Sequence, residues 1–423
     1  MPCLPHDFVR DFLLDTVTTP LRFHPDTASP SRDVTWAAQS WGRVVSVLSA
    51  LGGAALVFGF LVHRRQVDFE VYVMGGHHFA SAQLYAAVQT VWPHLPFTYP
   101  PFAALCFAPC AWVPYHLAQI LWATLNVVFL ASVLRVTLAS VRPSASATWW
   151  LVALLLGPAA ALEPTMLDVS FGQINLLVTL LVLTDATGTL SWRGRTLPRG
   201  VLTGVAAALK LTPLLFIPFY FLIGERRSSY RATLTFLVAS GFSFLYNPHA
   251  SWRYWTFYIS DVHRIGSAAY ISNQSLRGAV DRLAHHIVSS PVLTLASAAS
   301  GVLGLLTAWV WHRQGAHVLA VLIVADAALI ASPISWCHHM IIVIPILIWL
   351  WWGSDGLPGQ RVWALAVAAL FYWAPQWHIP HGGALDLREH GAQLLIGSCF
   401  TIASVLFMLG VSAWALQRLR AKR

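Results

Sequence analysis

Asp68 stands at the first polar break after a long apolar run, in "QVDFEVYVMGGHH" (66–78). An ionised carboxylate at such an exit is either a solvated interfacial group or a general base, which must come within hydrogen-bond reach of a hydroxyl. Glu70 follows two residues on; it shares a face with Asp68 in an extended chain and diverges by about 200° in a helix. "ALKLTP" (208–213) sets Lys210 between two short apolar halves broken at Pro213. An intramembrane cation marks a functional position, and an anionic ligand at the break is the chemistry it suits. "SPISWCHHM" (332–340) carries His338 and His339, whose side chains point about 100° apart on a helix and so suit separate contacts to a phosphate oxygen better than one shared metal. "DVSFGQINLL" (168–177) and "ISNQSLRGAV" (271–280) supply Gln173, Asn175, Asn273 and Gln274, amides able to read sugar hydroxyls, and Arg277, whose fork grips phosphate. Each stretch taken alone reads equally well as a helix cap.

The elements that must position these groups are apolar. Of 423 residues, 57% are hydrophobic and 10% charged, against roughly 25% charged in soluble domains. Mean hydropathy is +0.62. The chain therefore reads as an all-α polytopic membrane protein, with about twelve spans expected at 43–62, 117–136, 147–162, 172–187, 199–211, 212–223, 232–247, 291–310, 317–331, 339–352, 361–375 and 393–416. The apolar piece 100–114, "PPFAALCFAPCAWVP", is bracketed by prolines and expected to be re-entrant. With both termini in the cytoplasm, most of the 26 basic residues fall inside, as topology demands; a full crossing by 100–114 would reverse the bias. The same arrangement gathers Asp68, Glu163, Asp168, Lys210, Asp261 and most of the 18 histidines on the extracytoplasmic side, where a site is expected. The expected organisation is a cytoplasmic tail (1–42), one transmembrane domain (43–416) and a basic cytoplasmic tail (417–423). Residues 1–42 are too long and too acidic for a signal-peptide leader.

Other classes fit poorly. Only Lys210 and Lys422 are lysines, and no basic stripe interleaved with aromatics suggests nucleic acid. The five cysteines lack metal spacing, and Cys106 and Cys110 read as packing residues. No zinc pattern and no Asp-x-Asp pair is present. A transporter would also explain Lys210, Pro213 and the buried Asp326, though it leaves the polar groups at one face unexplained. Asp326 needs an interior partner that the sequence does not name.

Taken together, "VDFEVY", "LPFTYPPFAAL" (95–105), "FGQIN", "LKLTP", "NQSLRG" and "SPISWCHH" resemble the actinobacterial membrane mannosyltransferases of glycosyltransferase family 87, over nearly all of 43–416. The resemblance implies a GT-C architecture with an extracytoplasmic site in the plasma membrane, and transfer of mannose from polyprenyl-phosphate-mannose to a mannosylated phosphatidylinositol lipid. It places the catalytic acid on Asp68 and the donor phosphate near Lys210, Arg277, His338 and His339. Glu70, Tyr72, Tyr99, Gln173, Asn175, Asn273 and Gln274 are the expected sugar and acceptor contacts. Cys337 stands where relatives often carry Thr. No cofactor is required by such a donor, and a divalent cation is compatible with it. An arabinofuranosyltransferase of the same family shares the fold and the aspartate and is the nearest alternative.

Overall fold

Apolar runs become helices, and prolines, glycines and the buried lysine decide where each stops. The computed structural model describes residues 40–63, 66–89, 93–142, 149–189, 191–192, 195–354 and 357–421. The expected tail 1–42 therefore lies almost wholly outside the described residues, as do Arg193 and the last two residues of the basic C-terminal tail.

Helix α1 (Ser40–His63) leads to the short α2 (Val67–His77). After a loop come α3 (Pro101–Ala111) and the long α4 (Tyr115–Val141). Helix α5 (Trp149–Ala161) bends by 79° into α6 (Glu163–Phe171). Pro158 lies inside α5, and the break comes at the extended Leu162, where Pro164 in the first turn of α6 cannot continue the preceding helix. Then follow α7 (Asn175–Thr187), a two-residue antiparallel pair β1 (Ser191–Trp192) and β2 (Arg195–Thr196), α8 (Val201–Leu209), α9 (Phe216–Leu222), α10 (Arg226–Tyr246) and α11 (Pro248–Thr256). The chain closes with α12 (Leu276–Ala284), α13 (Pro291–Arg313), α14 (His317–Ala331), α15 (Val343–Trp352), α16 (Gln360–Trp373), α17 (Ala392–Gly397) and α18 (Cys399–Ala421).

Among the described residues, four helices (α1, α4, α13 and α18) are long and apolar enough to cross a membrane, or five if the bent pair α5–α6 is one broken span. Other apolar runs form shorter helices or break. Residues 199–223 split into α8, an extended Lys210, a 3-10 turn at Thr212–Leu215 and α9. Run 339–352 begins as the 3-10 turn Cys337–Ile342 before α15. Piece 100–114 is the helix α3, eleven residues long. The protein is thus a helical membrane protein with fewer full-length spans than the apolar runs suggest.

Helices α14 and α15 are buried on nearly every face and lie at the centre, with Leu319, Leu322, Ile323, Ile344 and Trp349 buried. Asp326 on α14 is 2% exposed and is hydrogen-bonded by Ser404 of α18, the partner that sequence could not supply. Helices α1 and α5 approach through small residues: a Cβ on Gly157 would lie 2.6 Å from Ser49 Oγ, and Ser49 donates to Leu154 O at 2.7 Å. Such contacts replace the hydrophobic drive that lipid cannot provide. Cys106 and Cys110 are free; Cys110 packs against the core and Cys106 is exposed.

The connections 78–100, 247–275, 332–336 and 374–398 are laced into one cap. Asn247 Nδ2 donates to Phe79 O at 3.0 Å, and Arg264 Nη2 to Tyr85 O at 2.6 Å. Arg282, wholly buried, anchors this cap: its Nη1 donates to Ala269 O, Tyr270 O and Asn273 O, its Nη2 donates to Ser398 Oγ, and its Nε faces Glu389 at 3.8 Å. Removing one partner of a buried ion pair strands the other, at a cost of about 3–5 kcal/mol. Arg282→Ala is therefore expected to lower stability by about that amount, read as the unfolding midpoint in detergent; an unchanged midpoint would show that the cap does not rest on this residue.

Candidate active site

Asp68 is the second residue of α2, whose position is set by ring packing. Phe69 stacks on Trp122 at 5.6 Å and Tyr72 on Phe107 at 4.2 Å. Gln66, just before the helix, donates to Val169 O at 2.7 Å, and Gln89 donates to Val67 O. Because this segment is helical, Glu70 points about 200° away from Asp68 and is absent from the wall of the cavity that Asp68 lines.

Gly172 explains how "FGQIN" supplies two polar groups. It ends α6 with φ +72°, a left-handed conformation that favours glycine, and a Cβ there would lie 2.6 Å from Phe69 Cβ. The turn aims Gln173 at α2 and starts α7 at Asn175. Gln173 Oε1 accepts from Tyr72 OH at 2.7 Å and from Tyr99 OH at 3.0 Å, and the two hydroxyls lie 2.8 Å apart. With its oxygen committed to the tyrosines, the Gln173 amide is left to hydrogen-bond the Asp68 carboxylate.

Beside this group lies a second chain. Lys210 Nζ donates to Asn175 Oδ1 at 2.5 Å; Asn175 Nδ2 donates to Asp168 Oδ1 at 2.7 Å and to His338 O at 3.1 Å. Lys210 has extended backbone angles, φ −152° and ψ 131°, so the break falls at the lysine itself and Pro213 belongs to the turn beyond it. The Lys210 ammonium also lies 5.7 Å from the Tyr99 ring centre.

These groups meet in a cavity of about 290 Å³ lined by Asp68, Tyr99, Gln173, Lys210 and His339, among others. Lys210, Thr212 and His339 also line a neighbouring crevice walled by Val178, Val182, Phe216, Leu329 and Ile342. Of the histidine pair, His339 faces both spaces. His338 is buried behind it, its ring edge-on to Phe171 and 4.8 Å from the His339 ring.

Glu70, Tyr72, Asn175 and His338 do not line the Asp68 cavity, and three further sequence candidates are spent elsewhere. Asn273 is wholly buried: its Nδ2 donates to Ala268 O and Pro333 O, and its Oδ1 accepts from the amides of Ser275 and Ser335. Gln274 likewise donates to Ile271 O and Gly397 O and accepts from Phe400 N, Thr401 N and Thr401 Oγ1. Amides saturated by backbone have nothing left for a sugar; they hold the cap. Arg277 lies 3.7 Å from Asp281, one helical turn on, and is absent from the cavity wall. Conversely, Asp261 and Arg264 do line the cavity. Beyond the place of Asp261 on the outer face, their only sequence signal was an acid and a base within the aromatic-rich stretch "YWTFYISDVHRI" (254–265). Asp168 was visible in its motif only as a polar residue, its tie to Lys210 being a product of folding. Among the described residues no three His, Cys, Asp or Glu side chains cluster as a metal site.

Burial pushes the Asp68 carboxyl up from 3.8 to about 6, against the pull of the Gln173 hydrogen bond and the Lys210 charge. A carboxylate mostly ionised near neutrality, beside fixed cations and amides, can take a proton from a hydroxyl while negative charge grows on a neighbouring group. A family model for glycosyltransferase family 87 matches residues 97–333. The chain is also 31% identical over 363 residues, 78% of its length and 82% of the relative's, to the polyprenol-phosphate-mannose-dependent alpha-(1-2)-phosphatidylinositol mannoside mannosyltransferase of Mycobacterium tuberculosis (strain ATCC 25618 / H37Rv). The chain belongs to glycosyltransferase family 87. A protein of the same name from Mycolicibacterium smegmatis is 34% identical over 309 residues, covering 67% of this chain and 69% of that protein. A relative described as acting on phosphatidylinositol pentamannoside, from Mycobacterium tuberculosis (strain CDC 1551 / Oshkosh), is 33% identical over 356 residues, covering 82% of this chain and 79% of its own. No solved structure matches the chain.

For a family 87 enzyme with Asp68 as base, glycosyl transfer is expected to fall about tenfold per pH unit below the Asp68 pKa, about 6, and to level off above it. The rate profile of the purified protein checks this; a flat profile through that range would remove Asp68 as the titrating base.

Proposed function

We propose that this membrane enzyme transfers mannose from polyprenyl-phosphate-mannose to a mannosylated phosphatidylinositol lipid, forming an α-(1→2) linkage with inversion, as part of mycobacterial-type envelope glycolipid synthesis. One observation carries the mechanism. A single cavity holds the Asp68 carboxylate and the Lys210 and His339 side chains, and its Lys210 end adjoins an apolar crevice with which it shares Lys210, Thr212 and His339. The named activities of the relatives supply the donor and the acceptor class.

In this reading the donor's phosphate rests against Lys210 and His339, with the first isoprene units in the crevice. Asp68 takes the proton of the acceptor hydroxyl as its oxygen attacks the anomeric carbon from the face opposite phosphate. The bond from that carbon to the phosphate oxygen breaks, and polyprenyl phosphate leaves with its electron pair. Lys210 and His339 stabilise the negative charge that grows on the leaving oxygen. Asn175 and Asp168 keep the Lys210 ammonium in place, and His338 supports His339 from behind. The wider architecture proposed is GT-C, with about twelve spans completed by the shorter and broken helices. Residues 43–416 form the catalytic domain, the termini are cytoplasmic, and the cap with its cavity faces the extracytoplasmic side of the plasma membrane. The distribution of arginine supports that orientation.

Purified protein supplied with mannosyl-phosphoryl polyprenol and a mannosylated inositol lipid is expected to make a new mannoside. Asp68→Asn is expected to lower kcat by about 10²–10⁴-fold with little change in donor KM. Lys210→Ala is expected mainly to raise donor KM. Normal turnover by the Asp68 variant would exclude it as base. Transfer from decaprenyl-phosphate-arabinose instead of the mannosyl donor, or movement of labelled lipid across vesicles without a new glycosidic bond, would overturn the assignment itself.

A further inference from the structure

We infer that the segment Tyr254–Ile265 forms the acceptor-sugar subsite, with Asp261 and Arg264 hydrogen-bonding the hydroxyls of the accepting mannose against the Trp336 ring. This rests on the mannosyl-transfer reading above. Tyr258, Asp261, Arg264 and Trp336 all line the cavity that contains Asp68. Asp261 stands at the start of the 3-10 turn Val262–Arg264, and both residues line the same cavity. Both charged groups are therefore presented together.

Their pairing pattern separates this end of the cavity from structural ion pairs elsewhere. Among the described residues the Asp261 carboxylate has no hydrogen bond or salt bridge, although it is partly buried. Arg264 donates through Nη2 to Tyr85 O at 2.6 Å and lies 4.5 Å from the Tyr258 ring centre. Those contacts fix the guanidinium plane and leave its other N–H groups uncommitted to any carboxylate. The Tyr258 ring is itself held, 4.9 Å from Tyr85 and with the Arg264 and Arg253 guanidinium groups over it, so it braces the arginine. A fixed fork of donors, an unpaired carboxylate and the Trp336 ring form a set suited to a pyranose. The carboxylate accepts from hydroxyls, the fork donates to neighbouring oxygens, and the indole covers the apolar C–H face.

Continuity of the cavity decides which substrate this end receives. Lys210, Thr212 and His339 are shared with the apolar crevice, whereas Asp261 and Arg264 are not. A lipid-linked donor takes the end that leads into apolar walls, and the polar end is left for the acceptor. For an α-(1→2) product the reacting hydroxyl must reach Asp68, so the subsite grips the acceptor ring by its remaining hydroxyls.

The test uses full-length purified protein, mannosyl-phosphoryl polyprenol as donor and octyl α-mannoside as a phosphate-free acceptor, beside the mannosylated inositol lipid. Asp261→Asn and Arg264→Gln are each expected to raise acceptor KM about tenfold for both acceptors, with donor KM and kcat within about twofold. The unchanged donor KM also reports an intact fold, and Asp261→Asn removes no contact within the protein. A rise in donor KM instead would assign the segment to the donor, and a loss confined to the phosphate-bearing acceptor would make Arg264 a phosphate ligand; either overturns the inference. So would unchanged kinetics in both variants. A parent protein that mannosylates neither acceptor would sink the functional reading, which is a separate result from variants that match an active parent.

Discussion

A lysine inside a membrane protein has to be held, and much of the site follows from how Lys210 is held. At a helix centre in the bilayer such a residue costs about 2.5–3.5 kcal/mol. Here the ammonium donates to Asn175, which donates in turn to Asp168. That chain requires α6 to end, the backbone to turn at Gly172, and α7 to begin at Asn175. It also requires α8 to stop at Lys210, so that the side chain leaves extended backbone and reaches the amide. The broken helices around the cavity are the condition under which a cation can sit between apolar walls with partners on one side and open space on the other.

The aromatic floor does a comparable task for Asp68. Tyr72 and Tyr99 both point their hydroxyls at Gln173 Oε1, which orients the amide so that its N–H groups face the carboxylate. A carboxylate buried without donors would favour its neutral form strongly. The Gln173 hydrogen bond and the Lys210 charge oppose that tendency, leaving a pKa of about 6. The tyrosines thus act on the base through a side chain that neither of them resembles in role, and this explains why Tyr72, a polar aromatic, is wholly buried beneath the cavity.

Sequence alone revealed residues whose chemistry is anomalous for their surroundings. A lone lysine between apolar halves, an acid at a membrane exit and a His pair beside prolines stand out because apolar neighbours give them no ordinary use. The same logic misplaced Asn273 and Gln274. An amide that braces four backbone groups carries the same letters as one that reads a sugar, and only the fold shows which partners are taken. Arg277 failed similarly, since Asp281 one turn away in the sequence already met its charge. Arg264 carries no sequence signal of its own, and Asp261 only its place on the outer face, because nothing local distinguishes a charged pair in a loop from a solvated one. Their meaning comes from Tyr85, distant in sequence, whose carbonyl fixes the arginine. Helical character was plain from composition. The span count was not, because a hydropathy run says that a segment is apolar and cannot say that Pro164, Lys210 or the Cys337–Ile342 turn will interrupt it.

The cap and the membrane helices impose different requirements, and the cavity exists where they meet. Below it, packing is apolar and close, with α14 and α15 buried on nearly every face. Above it, irregular connections must satisfy their own backbone groups, and they do so by spending buried polar side chains on one another: Arg282 on three carbonyls, Asn273 on Ala268 and Pro333, Gln274 on Gly397 and the start of α18. A cap so fully committed internally has few polar groups left over. Those that remain uncommitted and face the cavity, foremost the Asp261 carboxylate, are for that reason the ones chemically free to meet a substrate.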